Sequence, residues 1–128
     1  MRGYHRDVPA VHLKSLSPPR GGRQIDETLR AIAREVAAST GGEPPGTWCT
    51  FTAVDRMSIG EDITTDAGRI VYLDMWIRSR GADVDRDALR AACGAAASGL
   101  DVPLEDVWAT LRHVQPGFVF AGGGLIEE

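Results

Sequence analysis

Slid along itself by 60 residues, the chain matches itself without a gap. Val11 and Leu13 fall on Val71 and Leu73, Arg20 and Gly21 on Arg80 and Gly81, and Leu29, Arg30 and Ala31 on Leu89, Arg90 and Ala91. Ala37 falls on Ala97, and Trp48, Thr50 and Val54 fall on Trp108, Thr110 and Val114. These are eleven identities across the pairs from Pro9 to Val54, where average amino-acid usage would give roughly three. A duplicated unit is the strongest constraint on the fold, and each copy reads strand, helix, strand. Ala10–Leu16 alternates, with Val11 and Leu13 on one face and His12 and Lys14 on the other. Ile25, Leu29, Ile32, Ala33 and Val36 mark one face of a helix, stopped by Gly41-Gly42 and kept stopped by Pro44-Pro45. Trp48–Val54 is a second strand. In the second unit Ile70–Ile77 is a strand, Val84, Ala88, Leu89, Ala92 and Ala96 are a helical stripe with Gly99 as its cap, and Val107–Val114 closes.

A strand–helix–strand unit makes its two strands parallel and lays the helix on one face. Two units share one four-stranded mixed sheet if their first strands pair antiparallel about a pseudo-twofold axis. The fold class is therefore α+β, with both helices on one face. Repeat units span 9–54 and 69–114, with a linker at 55–68, a Gly-rich tail at 115–128 and an extension at 1–8. The opposite sheet face carries His12, Lys14, Tyr72, Asp74 and Trp76. It is apolar enough to need a cover, so another subunit is expected there. Antiparallel pairing also sets the start of the first strand, Pro9, beside the end of its partner, Ile77-Arg78-Ser79-Arg80. By pseudo-symmetry Arg69 comes near Pro18-Pro19-Arg20 at the other end, where positive charge is sparser.

Composition narrows the function. At 128 residues, 43% hydrophobic and 25% charged, the chain is of ordinary single-domain size. A net charge of −4 and a pI of about 5.3 argue against nucleic acid as the main partner. No apolar run approaches the roughly 18 residues of a membrane span, and Met1–Ala10 lacks a signal-peptide core, so a cytoplasmic protein is expected. Cys49 and Cys93 make neither a disulfide framework nor a zinc site, and no metal or other cofactor is expected. Of 14 basic residues only Lys14 is lysine, so arginine by itself signals little and its position must carry the case.

Several stretches in this order resemble the tautomerase superfamily: Pro9-Ala10-Val11-His12-Leu13-Lys14, Gly22-Arg23 at the first helix, and the tail Phe118-Val119-Phe120-Ala121-Gly122-Gly123-Gly124. Trp76-Ile77-Arg78-Ser79-Arg80 is similar to the paired-arginine segment of the fused members, malonate semialdehyde decarboxylase and cis-3-chloroacrylic acid dehalogenase. The resemblance implies a homotrimer and an isomerase-type or related lyase enzyme acting on a small 2-oxo or unsaturated carboxylic acid. It also implies Pro9 as the proton-transferring amine when it is the first residue, and Arg78 and Arg80 as the grip on the carboxylate. Guanidinium suits that grip, because its planar fork can bind a carboxylate bidentately.

Three positions depart from the family pattern. Eight residues precede Pro9, and an internal proline nitrogen is an amide without a proton. Initiation at the Val8 codon, with the initiator Met removed, would free it. Gly46 stands where decarboxylase-type members carry an acid, and His113 stands where fused members carry a Glu late in the fourth strand.

Arg78 and Arg80, two apart, are expected to project from one strand face toward one anion. Read as surface charge, they would be balanced by Asp83, Asp85 and Asp87. His113, Trp76, Phe118, Phe120 and His12 complete the expected substrate-binding set. Trp48 and Trp108, being repeat-equivalent, are expected to be structural. Two other readings stand beside the enzyme: a non-catalytic or differently catalytic binder of small anions that keeps Pro9 internal, and a ferredoxin-like dimeric α+β-barrel protein. The tandem repeat and Gly-rich tail speak against the last.

Overall fold

The computed structural model describes residues 9–16, 21–42, 46–64, 70–121 and 123–127. The extension at 1–8, Pro18-Pro19-Arg20, Pro44-Pro45, Arg69 and Gly122 lie outside the described residues. Strands β1 (Ala10–Leu16) and β2 (Trp48–Val54) flank helix α1 (Gly22–Thr40), and strands β5 (Val71–Ile77) and β6 (Val107–His113) flank helix α2 (Ala82–Leu100). The four strands form one sheet in the order β2-β1-β5-β6. β1 runs parallel to β2, β5 parallel to β6, and β1 antiparallel to β5 with Leu13 opposite Leu73. The fold is thus the doubled unit expected from the repeat.

Alternation decides which side of the sheet is covered. Val11 and Leu13 of β1 and Val71, Leu73, Met75 and Ile77 of β5 point to the helices and are buried. There they join Ile32 and Val36 of α1 and Ala88, Ala92 and Ala96 of α2 in one core. Burying a side chain such as Ile32 or Val36 completely stabilises the fold by about 1.5–3 kcal/mol. α1 stops at Gly41, whose φ of 77° is left-handed backbone that glycine adopts without penalty.

Gly99 was expected to cap α2, but it lies inside the helix, which runs to Leu100 and is capped by Asp101 at φ 58°. The role of Gly99 is to let the helices touch. A Cβ added there would stand 2.3 Å from Thr28 Oγ1 and 2.8 Å from Thr28 Cβ, and Gln24 Nε2 donates to the Gly99 carbonyl at 2.9 Å. Because Thr28 Cβ cannot rotate away, Gly99→Ala must part the helices. A loss of about 1–3 kcal/mol is expected from such overpacking, read as a lower urea midpoint with an unchanged slope.

Two short hairpins accompany the doubled unit. β3 (Met57–Ile59) pairs with β4 (Asp62–Thr64) between the units, and β7 (Val119–Ala121) pairs with β8 (Gly124–Ile126) in the tail. Among the described residues no helix is long and apolar enough to cross a membrane.

Candidate functional site

The antiparallel β1–β5 register determines what meets at one end of the sheet. Ala10 lies opposite Trp76, so Pro9, one residue earlier, stands beside Ile77. Ile77 in turn lies opposite His113, and its carbonyl accepts the Val114 N–H at 2.9 Å. Pro9 is buried, and its carbonyl accepts the Trp48 N–H at 2.9 Å. The strand-opening proline, the segment bearing Arg78 and Arg80, and His113 therefore occupy one end of the molecule, three strands wide.

One expectation about the arginines is corrected. β5 ends at Ile77, and residues 78–80 are outside any strand, so strand alternation does not orient Arg78 and Arg80. The chain bends there because Gly81 takes φ 101° before α2 begins, a conformation that only glycine enters cheaply. Both arginines are half-buried, and the terminal guanidinium nitrogens of Arg80 are shut off from solvent.

What orders this bend is Asp85, which sequence reasoning had counted among the surface acids. The residue is buried, 4% exposed. Oδ2 accepts the Ser79 hydroxyl at 2.8 Å and Oδ1 accepts the Arg80 backbone N–H at 3.0 Å. His113 Nε2 lies 2.9 Å from Oδ2. Desolvation alone would push the carboxyl up. The hydrogen bonds from Arg80, Ser79 and His113 outweigh it and hold Asp85 below the ordinary carboxylate range. The signal for Asp85 was its spacing: Asp85, Ala88, Ala92 and Ala96 fall on one helical stripe, and all four are buried. An acid in an apolar stripe needs partners.

Ser79 donates to Asp85 and also accepts the Gly81 N–H at 3.3 Å. It therefore secures the carboxylate and is not the hydroxyl of a Ser–His–Asp relay. Nor are the cysteines nucleophiles at neutral pH: burial pushes the Cys49 thiol up to about 11 and the Cys93 thiol up as well.

The expected binding residues divide between two places. His113, Trp76 and Phe118 line a cavity of about 250 Å³ with Val114, Gln115 and Val119. Phe120 is 70% exposed and does not line it. His12 lies on the uncovered sheet face, where its Nδ1 meets Thr50 Oγ1, and lines a separate groove of about 690 Å³ with Lys14, Tyr72, Asp74 and Arg112. On that face the Tyr72 and Trp108 rings meet edge to face at 5.9 Å, and Arg112 lies 5.4 Å from the Trp76 ring centre. Trp48 and Trp108, expected to be structural, are 61% and 60% exposed in the single chain. Among the described residues no three His, Cys, Asp or Glu side chains gather as metal ligands would.

No protein-family sequence model and no curated protein matches the chain. Solved structures do match its fold. A fused 4-OT symmetric trimer superposes with a TM-score of 0.78 at 14% identity, covering 91% of this chain and 94% of that one. The protein Pt0534, solved after inactivation by 2-oxo-3-pentynoate, gives 0.81 at 12% identity, covering 91% and 95%. A member of the cis-3-chloroacrylic acid dehalogenase family gives 0.75 at 15% identity, covering 93% and 84%. All three are tautomerase superfamily proteins. The fold of this chain is that of the tautomerase superfamily in its fused, two-unit form, as the resemblance of its sequence implied.

Proposed function

We propose that this protein is an isomerase-type enzyme that moves a proton on a small 2-oxo or unsaturated carboxylic acid. The observation that carries the reading is the meeting of Pro9, the Arg78–Arg80 segment and His113 at one end of a tautomerase-like sheet. In this reading Arg78 and Arg80 hold the carboxylate and polarise the carbonyl beside it. A chain that begins at Pro9 presents a secondary amine able to exchange the proton. The inactivation of one fold neighbour by a 2-oxo acid supports the substrate class.

The working form is a homotrimer. Both helices cover one sheet face, while Trp48, Tyr72 and Trp108 stand 61%, 43% and 60% exposed on the other. Fold neighbours described as trimers support a third-order assembly. Deuterium uptake at C3 of 2-oxobutanoate, followed by NMR with a chain beginning at Pro9, tests the activity. Light scattering on the same sample tests the assembly. Saturable uptake and a three-chain mass are expected; buffer-rate uptake overturns the enzyme reading, and a one-chain mass overturns the trimer. The alternative, a small-anion binder without catalysis, is favoured by one fact: in a chain carrying residues 1–8, Pro9 is a buried amide.

A further inference from the structure

We propose that His113, oriented by Asp85, is a proton-transferring residue of this site and works while Pro9 is held in an amide. This inference rests on the proton-transfer reading above and names a different base for it. Asp85 is buried and ionised, so both its oxygens only accept. The His113 nitrogen 2.9 Å away, Nε2, therefore carries the ring's proton. That fixes the tautomer and leaves the lone pair on Nδ1, in a ring that borders the cavity with Trp76 and Phe118. The ring itself is accessible, with 51% of the His113 side chain exposed against 6% for Asp85. A buried carboxylate behind a half-exposed imidazole is the arrangement that orients a base and stabilises its cation.

Among the described residues, Asp85 of α2 meets the ring and is itself held by the Ser79 hydroxyl and the Arg80 N–H of the bend; the uncharged Trp76, Val114, Gln115, Phe118 and Val119 share the cavity that the ring borders. Arg112 is one residue away but on the other sheet face, over Trp76. Asp85 also ties the arginine-bearing bend to the His113 end of β6, so one carboxylate sets the positions of both the base and the anion-binding segment.

The step balances within the substrate. His113 Nδ1 takes a proton from C3 of a 2-oxo acid, the C3–H electron pair becomes the C2–C3 double bond, and the carbonyl π pair moves onto oxygen. The imidazolium then gives its proton to that oxygen, forming the enol, and Nδ1 regains its lone pair. No co-reactant is consumed. Asp85 is a positioning residue: it touches the imidazole and not the substrate.

The test follows deuterium uptake at C3 of 2-oxobutanoate with the full chain from Met1, and in parallel with the chain from Pro9. The full chain is expected to exchange, and His113→Gln to slow it about a hundredfold, the scale of general acid–base catalysis. His113→Gly should be restored by added imidazole, which a structural role would not allow. Asp85→Asn should lower kcat with little change in KM. Three results overturn the proposal. One is full-chain exchange that survives His113→Gln within twofold. The second is exchange by the Pro9 chain alone, which leaves the proposed function standing and removes His113 from it. The third is buffer-rate exchange by both chains, which removes both.

Discussion

Replacing Arg78 by alanine is expected to weaken binding or turnover of a 2-oxo acid by about 10- to 150-fold, the value of one charge-assisted contact to a carboxylate, roughly 1.5–3 kcal/mol. Arg78→Lys should recover little of this, since an ammonium cannot present a planar fork. Arg90→Ala is the control: its guanidinium pairs with Asp87 at 3.0 Å on an exposed face of α2, and an exposed helix pair of that kind contributes only about 0.3–0.5 kcal/mol. Arg80→Ala should differ from Arg78→Ala in one respect. The buried guanidinium nitrogens of Arg80 tie it to the packing of the bend, so its loss should lower the unfolding midpoint along with affinity. Isothermal titration beside urea denaturation separates the two effects. Equal, small changes in affinity at positions 78, 80 and 90 would reduce the pair to surface charge.

Asp85→Ala is expected to cost about 3 kcal/mol at pH 7, because it strands the Ser79 hydroxyl, the Arg80 N–H and the His113 ring without their acceptor. The pH dependence has a definite sign. The folded-state pKa of Asp85 lies below its unfolded value. Its contribution is therefore fully present above the unfolded carboxylate pKa near about 4 and is lost as pH falls through the folded value. Urea unfolding of the parent chain and of Asp85→Asn should show a gap at pH 7 that narrows on acidification below about pH 4. A gap that stays constant down to pH 2 would mean that the negative charge of the carboxylate is not what stabilises the fold.

The residues that were legible in sequence are those whose role repeats. Val11 and Leu13 recur as Val71 and Leu73, and that recurrence placed β1 and β5, their pairing and the covered face. The hairpins were not legible, because strands of three residues such as Met57–Ile59 and Val119–Ala121 are too short to show alternation. The arginine pair was visible as a motif, but its geometry was not. Gly81 redirects the backbone at φ 101°, and a positive φ at a glycine leaves no mark on neighbouring side chains. Asp85 was missed for a third reason. It sits between Asp83 and Asp87, and acids spread over the first two turns of a helix are usually a solvated complement to the helix dipole. Only the register of the buried alanines distinguishes the middle one. In the first unit Ile25 occupies the corresponding position, so the apolar copy of the repeat marks where the polar copy carries its site.

The contact between Thr28 and Gly99 bears on whether the two halves are interchangeable. Shifted by one repeat, Thr28 becomes Ala88 and Gly99 becomes Ser39. A half-length chain made of the second unit alone could pair with its own copy, setting alanine against glycine at both crossings. A half-length chain made of the first unit could not: serine carries a Cβ where Thr28 leaves only 2.3 Å, and the overlap would occur twice. If the gene were split between the units, the first half would have to find the second as its mate. The duplication has become a lock in which the first half no longer fits its own kind, and covalent linkage guarantees it the partner against which its helix can close.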